Sequence, residues 1–135
     1  ALKTHAPYGV LSRSGFEVEK RAVLDANYAV FADIDNMHGL NARFGYEAVN
    51  GMIRDALKLR TDDLLLSGLW FSGDELVFVI RSDPAGFMDR VRESFAFYDI
   101  GITLAACPVE NNDLNAAIDS AGRLGQAVKA KKIGR

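Results

Sequence analysis

Three acidic residues, Asp33, Asp74 and Glu75, stand where apolar runs end. Asp33 sits near the carboxyl end of YAVFADI, and Asp74 and Glu75 lie at the tip of a predicted hairpin between two apolar strands. If those strands are neighbours, the carboxylates converge, and such a cluster is costly unless a cation neutralises it. A few hard oxygen ligands suit Mg²⁺, which keeps waters and takes its remaining ligands from substrate phosphates. The same residues also fit local roles: Asp74 as a turn former, Glu75 as a solvated edge residue and Asp33 as a helix-side cap. Spacing alone leaves both readings open. Directly downstream, Asp35-Asn36-Met37-His38 opens a helix whose free N–H groups could receive phosphate. On the last helix, Ala117, Ala121, Leu124 and Val128 form a stripe that continues to Lys131 and Arg135. Those two cations suit either a phosphate or the negative end of the helix dipole.

The elements that must position these groups follow from pattern. Ser12 is a predicted cap for a helix to about Leu24, with Phe16, Val23 and Leu24 as apolar contacts. Tyr28–Ile34 reads as a buried strand. Asp35 is the expected N-cap of a helical region that glycines divide into two pieces, the second carrying Val49, Met52, Ile53 and Ala56. Leu64–Phe71 and Glu75–Ile80 read as a hairpin across Ser72, Gly73 and Asp74. A helix from Pro84 to about Phe95, a strand through IGITLAA and a long helix from about Asp113 complete an αβααββαβα order, a sheet covered by helices.

Composition bounds the partners. The chain has 135 residues, 49% apolar and 25% charged, enough for one globular domain with a core. Sixteen Lys plus Arg against eighteen Asp plus Glu give a formal charge of −2 with no basic block, which argues against a nucleic-acid polymer as partner. The single cysteine, Cys107, has no metal-ligand neighbours and reads as a small buried hydrophobe in a reducing cytoplasm. No run reaches the roughly 18 apolar residues of a membrane helix. The chain opens on Ala1 rather than Met, which leaves room for a sensory domain N-terminal to it. Phe71, Phe78 and Tyr98 are expected in the core, and His5 in solvent.

The residues resemble the GGDEF domain of diguanylate cyclases over most of the chain. Ser72-Gly73-Asp74-Glu75-Leu76 is similar to the family's Gly-Gly-Asp/Glu-Glu-Phe hairpin. Asp33-Ile34-Asp35-Asn36-Met37-His38-Gly39-Leu40-Asn41 with Gly45 resembles its Asp-Ile-Asp-x-Phe-Lys-x-x-Asn followed by Gly-His. Tyr8 to Arg13 is similar to the opening Leu-Thr-Gly-Leu-x-Asn-Arg, identical at Gly9 and Arg13. Ile100-Gly101-Ile102 and Lys131-x-x-Gly134-Arg135 match the two remaining signatures in order and spacing.

The resemblance implies one α/β (α+β) domain over residues 1–135, with a mostly antiparallel central sheet flanked by helices as in palm-like nucleotidyl cyclases. It implies condensation of two GTP into cyclic di-GMP with pyrophosphate release, dependent on Mg²⁺ or Mn²⁺, across a homodimer whose subunits each hold one nucleotide. Carried over, Asp33, the Ile34 carbonyl and Asp74 hold the metal, and Glu75 with Asp74 serves catalysis. Asn41 and Asn50 fall at guanine, Met37, His38, Lys131 and Arg135 at phosphate, and Ser72 and Gly73 line the nucleotide.

The chain departs from the pattern at several of these positions. Ser72 replaces a glycine, His38 a phosphate-contacting Lys, and Asn50 an Asp that would accept both guanine N–H groups, so base preference should relax. Tyr46, Trp70, Leu76 and Val128 replace His, Arg, Phe and Tyr. The family's Arg-x-x-Asp product site falls on Asp63-Leu64-Leu65-Leu66, so no feedback inhibition through that site is expected. The alternative function is a degenerate, non-catalytic module that binds nucleotide or a partner protein in signalling.

Overall fold

The computed structural model describes residues 3–133. Six strands form one sheet, β1 (Thr4–His5), β2 (Val10–Leu11), β3 (Tyr28–Ile34), β4 (Leu64–Leu69), β5 (Glu75–Ile80) and β6 (Ile102–Pro108), in the order β1-β2-β4-β5-β3-β6. Every pairing is antiparallel except β2 with β4, which meet in parallel at Leu11 and Gly68. The helices are α1 (Arg13–Glu19), α2 (Met37–Phe44), α3 (Tyr46–Ala56), α4 (Pro84–Ala96) and α5 (Leu114–Ile133). The expected fold class and the bounds of β3 and β5 agree with this arrangement.

Strand alternation divides the core between the two faces of the sheet. Val30, Ala32, Ile34, Leu76, Phe78 and Ile80 pack with Val49, Ile53, Phe87, Val91 and Phe95 of α3 and α4. Ala29, Phe31, Val77 and Val79 face the other way, onto Phe16 of α1 and Ala117, Ile118 and Ala121 of α5. No described helix is long and apolar enough to cross a membrane.

Several local expectations change. The first helix ends at Glu19 and continues only as a 3₁₀ turn over Lys20–Ala22, leaving Leu24 exposed. Its cap is as expected: the Ser12 hydroxyl accepts the Gly15 N–H at 3.1 Å. Ser12→Ala should therefore cost about 1 kcal/mol of stability, read as a shift in urea midpoint at unchanged slope. The β1–β2 hairpin was not expected, because two-residue strands carry no periodicity. Gly45, at φ +84°, ends α2 and starts α3, a backbone turn that residues with a Cβ rarely adopt. β4 stops at Leu69, so Phe71 is exposed rather than core; Tyr98 packs half-buried against the core as expected, but from the turn after α4 rather than from a strand, its hydroxyl donating to Asp55. His5 is half-buried against Tyr8, not solvated. Cys107 is free and half-buried.

Candidate functional site at the sheet end

The hairpin register decides which side chains meet. Asp33 pairs with Glu75 of β5 on one side and with Thr103 of β6 on the other. Alternation puts all three on the α5 face, in a row across three adjacent strands. Asp74 precedes Glu75, and its carbonyl accepts the Ile34 N–H at 2.8 Å, tying the hairpin tip to the end of β3. The three acidic residues are thus neighbours, as expected from the sequence.

Helix α5 lies close over this row. A Cβ at Gly125 would fall 2.4 Å from Phe31 Cδ2, so glycine is what lets the helix approach β3. One turn later Lys129 arrives above Asp33. Its ammonium donates to Asp33 Oδ1 at 2.7 Å and to the Ile34 carbonyl at 3.1 Å, and lies 3.3 Å from Asp35 Oδ1. Lys132 reaches Asp35 Oδ2 at 3.2 Å and Thr103 Oγ1 at 2.9 Å. Thr103 in turn donates to Asp35 Oδ1 at 2.8 Å.

Two sequence expectations are corrected here. Asp35 does not cap α2: the capping position is Asn36, in the left-handed region with no side-chain cap, and Asp35 is held by lysines instead. The inward face of α5 runs through Ile118, Ala121, Gly125 and Lys129, and Lys132, though exposed, reaches back to Asp35; on the expected stripe Val128 is half-buried, while Leu124 and Lys131 are exposed. The stripe written from Ala117 and Ala121 drifted off the buried face after one turn, because it passed over the glycines that mark the close approach. Arg135 lies outside the described residues.

The hairpin tip is tethered from the other side of the chain. The buried Tyr8 hydroxyl donates to the Gly73 carbonyl at 2.6 Å. Burial, and then the Asp74 charge, push this phenol up to about 12, so it remains a donor across the working pH range. Tyr8→Phe should cost about 1 kcal/mol and speed amide exchange selectively at residues 72–75. The Ser72 hydroxyl donates to Asp74 Oδ1, so the residue that departs from glycine holds the neighbouring acid. A Cβ at Gly73 would meet nothing within 4 Å, which leaves that face of the tip open.

No family model matches the sequence, and no curated protein matches it. A microbial GGDEF domain studied with cyclic di-GMP is 17% identical, with a TM-score of 0.69 over 93% of this chain and 90% of that one. A sensory box/GGDEF family protein from Caulobacter crescentus is 18% identical, with a TM-score of 0.68 over 93% and 99%. The coiled coil and GGDEF domain of DgcB from the same organism, in complex with c-di-GMP, is 13% identical, with a TM-score of 0.71 over 98% and 82%. The chain has the GGDEF-domain fold.

Within this GGDEF fold the charges are unbalanced. Lys129 and Lys132 pair with Asp33 and Asp35, whereas Asp74 and Glu75 are held by the neutral Ser72 and Gln126 side chains. Burial pushes the Asp33 carboxyl up; Lys129 opposes this, and the Asp74 and Asp35 charges reinforce it. Glu75 is raised by burial, then by Asp33 and Asp74, while Gln126 donates to its Oε2 at 2.9 Å. Asp35 is lowered: burial acts against ionisation, but Thr103, Lys132 and Lys129 outweigh it. Lys129 is held above its ordinary value because Asp33 and Asp35 outweigh the cost of its burial. Among the described residues no three His, Cys, Asp or Glu side chains are grouped as a ready metal site.

The remaining candidates surround this centre. Met37 is half-buried against the core, and His38 is exposed at the start of α2. Asn41 and Asn50 are half-buried on α2 and α3, which pack together, and Asn41 Oδ1 is a buried acceptor without a partner among the described residues. Asp63, at the position of the family's product site, accepts the backbone N–H and hydroxyl of Ser82, both at 2.7 Å. Sequence reading missed Lys129, Lys132, Thr103, Gln126 and Tyr8 as contributors. The available signal was Gly125, one turn before Lys129.

Proposed function

We propose that this chain is a diguanylate cyclase domain that condenses two GTP into cyclic di-GMP and pyrophosphate, using Mg²⁺ or Mn²⁺, when two copies face each other. The observation that carries this reading is the in-register pairing of Asp33 with Glu75, with Asp74 and the Ile34 carbonyl at the same sheet end.

The donor set fits a hard divalent cation: two carboxylates and a carbonyl, with a cationic ammonium already resting on Asp33 and Ile34. Asp33, the Ile34 carbonyl and Asp74 would hold the metal. When bound, it supplies charge neutralisation at the phosphate and acidifies the attacking 3′-hydroxyl. Glu75 accepts the hydroxyl proton, and its raised pKa makes it a stronger base than an ordinary carboxylate. Gln126 fixes the orientation of that carboxylate. The first N–H groups of α2, at Met37 and His38, face the phosphates, with Lys131 near the end of α5; the resemblance adds Arg135, which lies outside the described residues. The unpaired Asn41 Oδ1 accepts from the guanine edge, and Asn50 supplies an amide beside it. Attack joins the 3′-oxygen of one GTP to the α-phosphorus of the other and expels pyrophosphate, once in each direction.

The test is to incubate the chain, free and as a forced dimer, with GTP, ATP or both plus Mg²⁺ or Mn²⁺, and identify products by mass spectrometry. Cyclic di-GMP is the expected product. A second reading, a non-catalytic nucleotide-binding module, draws on the contact of Ser72 with Asp74 and of Lys129 with Asp33. GTP bound without any product in the forced dimer would favour it.

A further inference from the structure

Lys129 belongs to none of the motifs that carry the resemblance, yet it makes the shortest ion pair to the proposed metal ligands. Its ammonium lies 2.7 Å from Asp33 Oδ1 and 3.1 Å from the Ile34 carbonyl oxygen, two of the three groups proposed to hold the metal. It lies 3.3 Å from Asp35 Oδ1 as well. The pair is largely withdrawn from solvent, with the Lys129 side chain 17% and the Asp33 side chain 8% exposed. The placement is built into the fold rather than reached by chance, since Gly125 seats α5 against Phe31 one turn earlier. Lys132 completes a second ion pair on the same face and holds Asp35 independently.

A Mg²⁺ ion about 2.1 Å from these same oxygens would claim the lone pairs that Lys129 now uses. Two cations cannot share that place, because they repel at short range in a partly buried site. Asp74, the third proposed ligand, is held meanwhile by the Ser72 hydroxyl. The resting site is thus closed on a cation of its own.

We infer that Lys129 is the resting occupant of the metal seat, a tethered competitor that a divalent ion must displace, so that this chain binds metal weakly until a nucleotide arrives. This rests on the metal-dependent reading above. The triphosphate supplies the negative charge that takes over the displaced ammonium. Metal and nucleotide therefore bind with positive cooperativity, each raising the affinity for the other by the same factor. The seat resists stray metal and opens only to the pair of ligands it uses.

The experiment is a Mn²⁺ titration of the whole chain without nucleotide, followed by calorimetry, for the unmodified protein, Lys129→Met, Lys129→Gln and Lys129→Arg. Removing the ammonium should tighten Mn²⁺ binding by about tenfold or more in both neutral variants, whereas the arginine variant should stay weak. Thermal melts check folding: the neutral variants should melt lower than the unmodified chain without metal, and gain more from added Mn²⁺. Adding Asp33→Asn to Lys129→Met should erase the gain. Equal or weaker Mn²⁺ binding by folded Lys129→Met and Lys129→Gln would overturn the inference, even if the chain makes cyclic di-GMP. Tighter binding in those variants supports it, even if no cyclic product forms and the cyclase reading fails.

Discussion

Asp74→Ala is expected to reduce cyclic di-GMP formation by at least about 100-fold, the scale on which losing one preorganised electrostatic contact slows an enzyme. The fold should survive, because among the described residues the hydrogen bond of the Asp74 side chain is to the nearby Ser72 hydroxyl at the exposed hairpin tip. Stability should respond to pH in a defined direction. Asp74 contributes to raising both Asp33 and Glu75, although burial is the larger cause for each. A raised carboxyl favours its protonated form in the fold. Its contribution is therefore present at low pH and lost as pH rises through the raised pKa. As the pH rises through the raised values the two groups ionise, and their repulsion from Asp74 then becomes a net cost. The alanine variant should thus melt no lower than the unmodified chain at pH 7, and any advantage should shrink as the pH is lowered. Product rates with melts at neutral and acid pH check both parts. Activity that persists would remove Asp74 from the site.

Phe78→Ala carries the largest expected stability effect, about 3–5 kcal/mol. Phe78 is fully buried at the centre of β5, opposite Val30 of β3 and Ser67 of β4, with its ring 5.2 Å from Phe87 of α4. Truncation leaves a cavity between sheet and helix that the neighbouring strands cannot close without losing register. Since domains are stable by only about 5–15 kcal/mol, the variant would lose much of its margin. Urea denaturation measures the loss. β5 also carries Glu75 and follows Asp74, so activity should fall with the folded fraction rather than through a changed site.

What the sequence made legible follows physical periodicity. β3 and β5 were readable because short apolar runs bounded by polar residues have few alternatives, and the acidic tip was readable as a hairpin turn. The break between α2 and α3 was marked by glycine. The β1–β2 hairpin was not readable, since its strands are short and gain their order from the parallel contact of Leu11 with Gly68. Asp35 was misplaced because a cap is a local preference, whereas its actual partners lie more than sixty residues away on β6 and α5. Lys131 was put in line with the core-facing stripe, and Lys129 passed over, for a similar reason. Helical phase over a twenty-residue helix depends on where glycine permits close approach, and that depends on Phe31 of another element.

The most direct test of the central claim is a crystal structure of the chain with Mn²⁺ and a non-hydrolysable GTP analogue, using the anomalous signal of manganese to locate the ion. The expected result is a manganese peak about 2.1 Å from Asp33, Asp74 and the Ile34 carbonyl oxygen, with the Lys129 ammonium moved off Asp33. A bound nucleotide with no manganese at that seat, or manganese bound elsewhere on the chain, would contradict it.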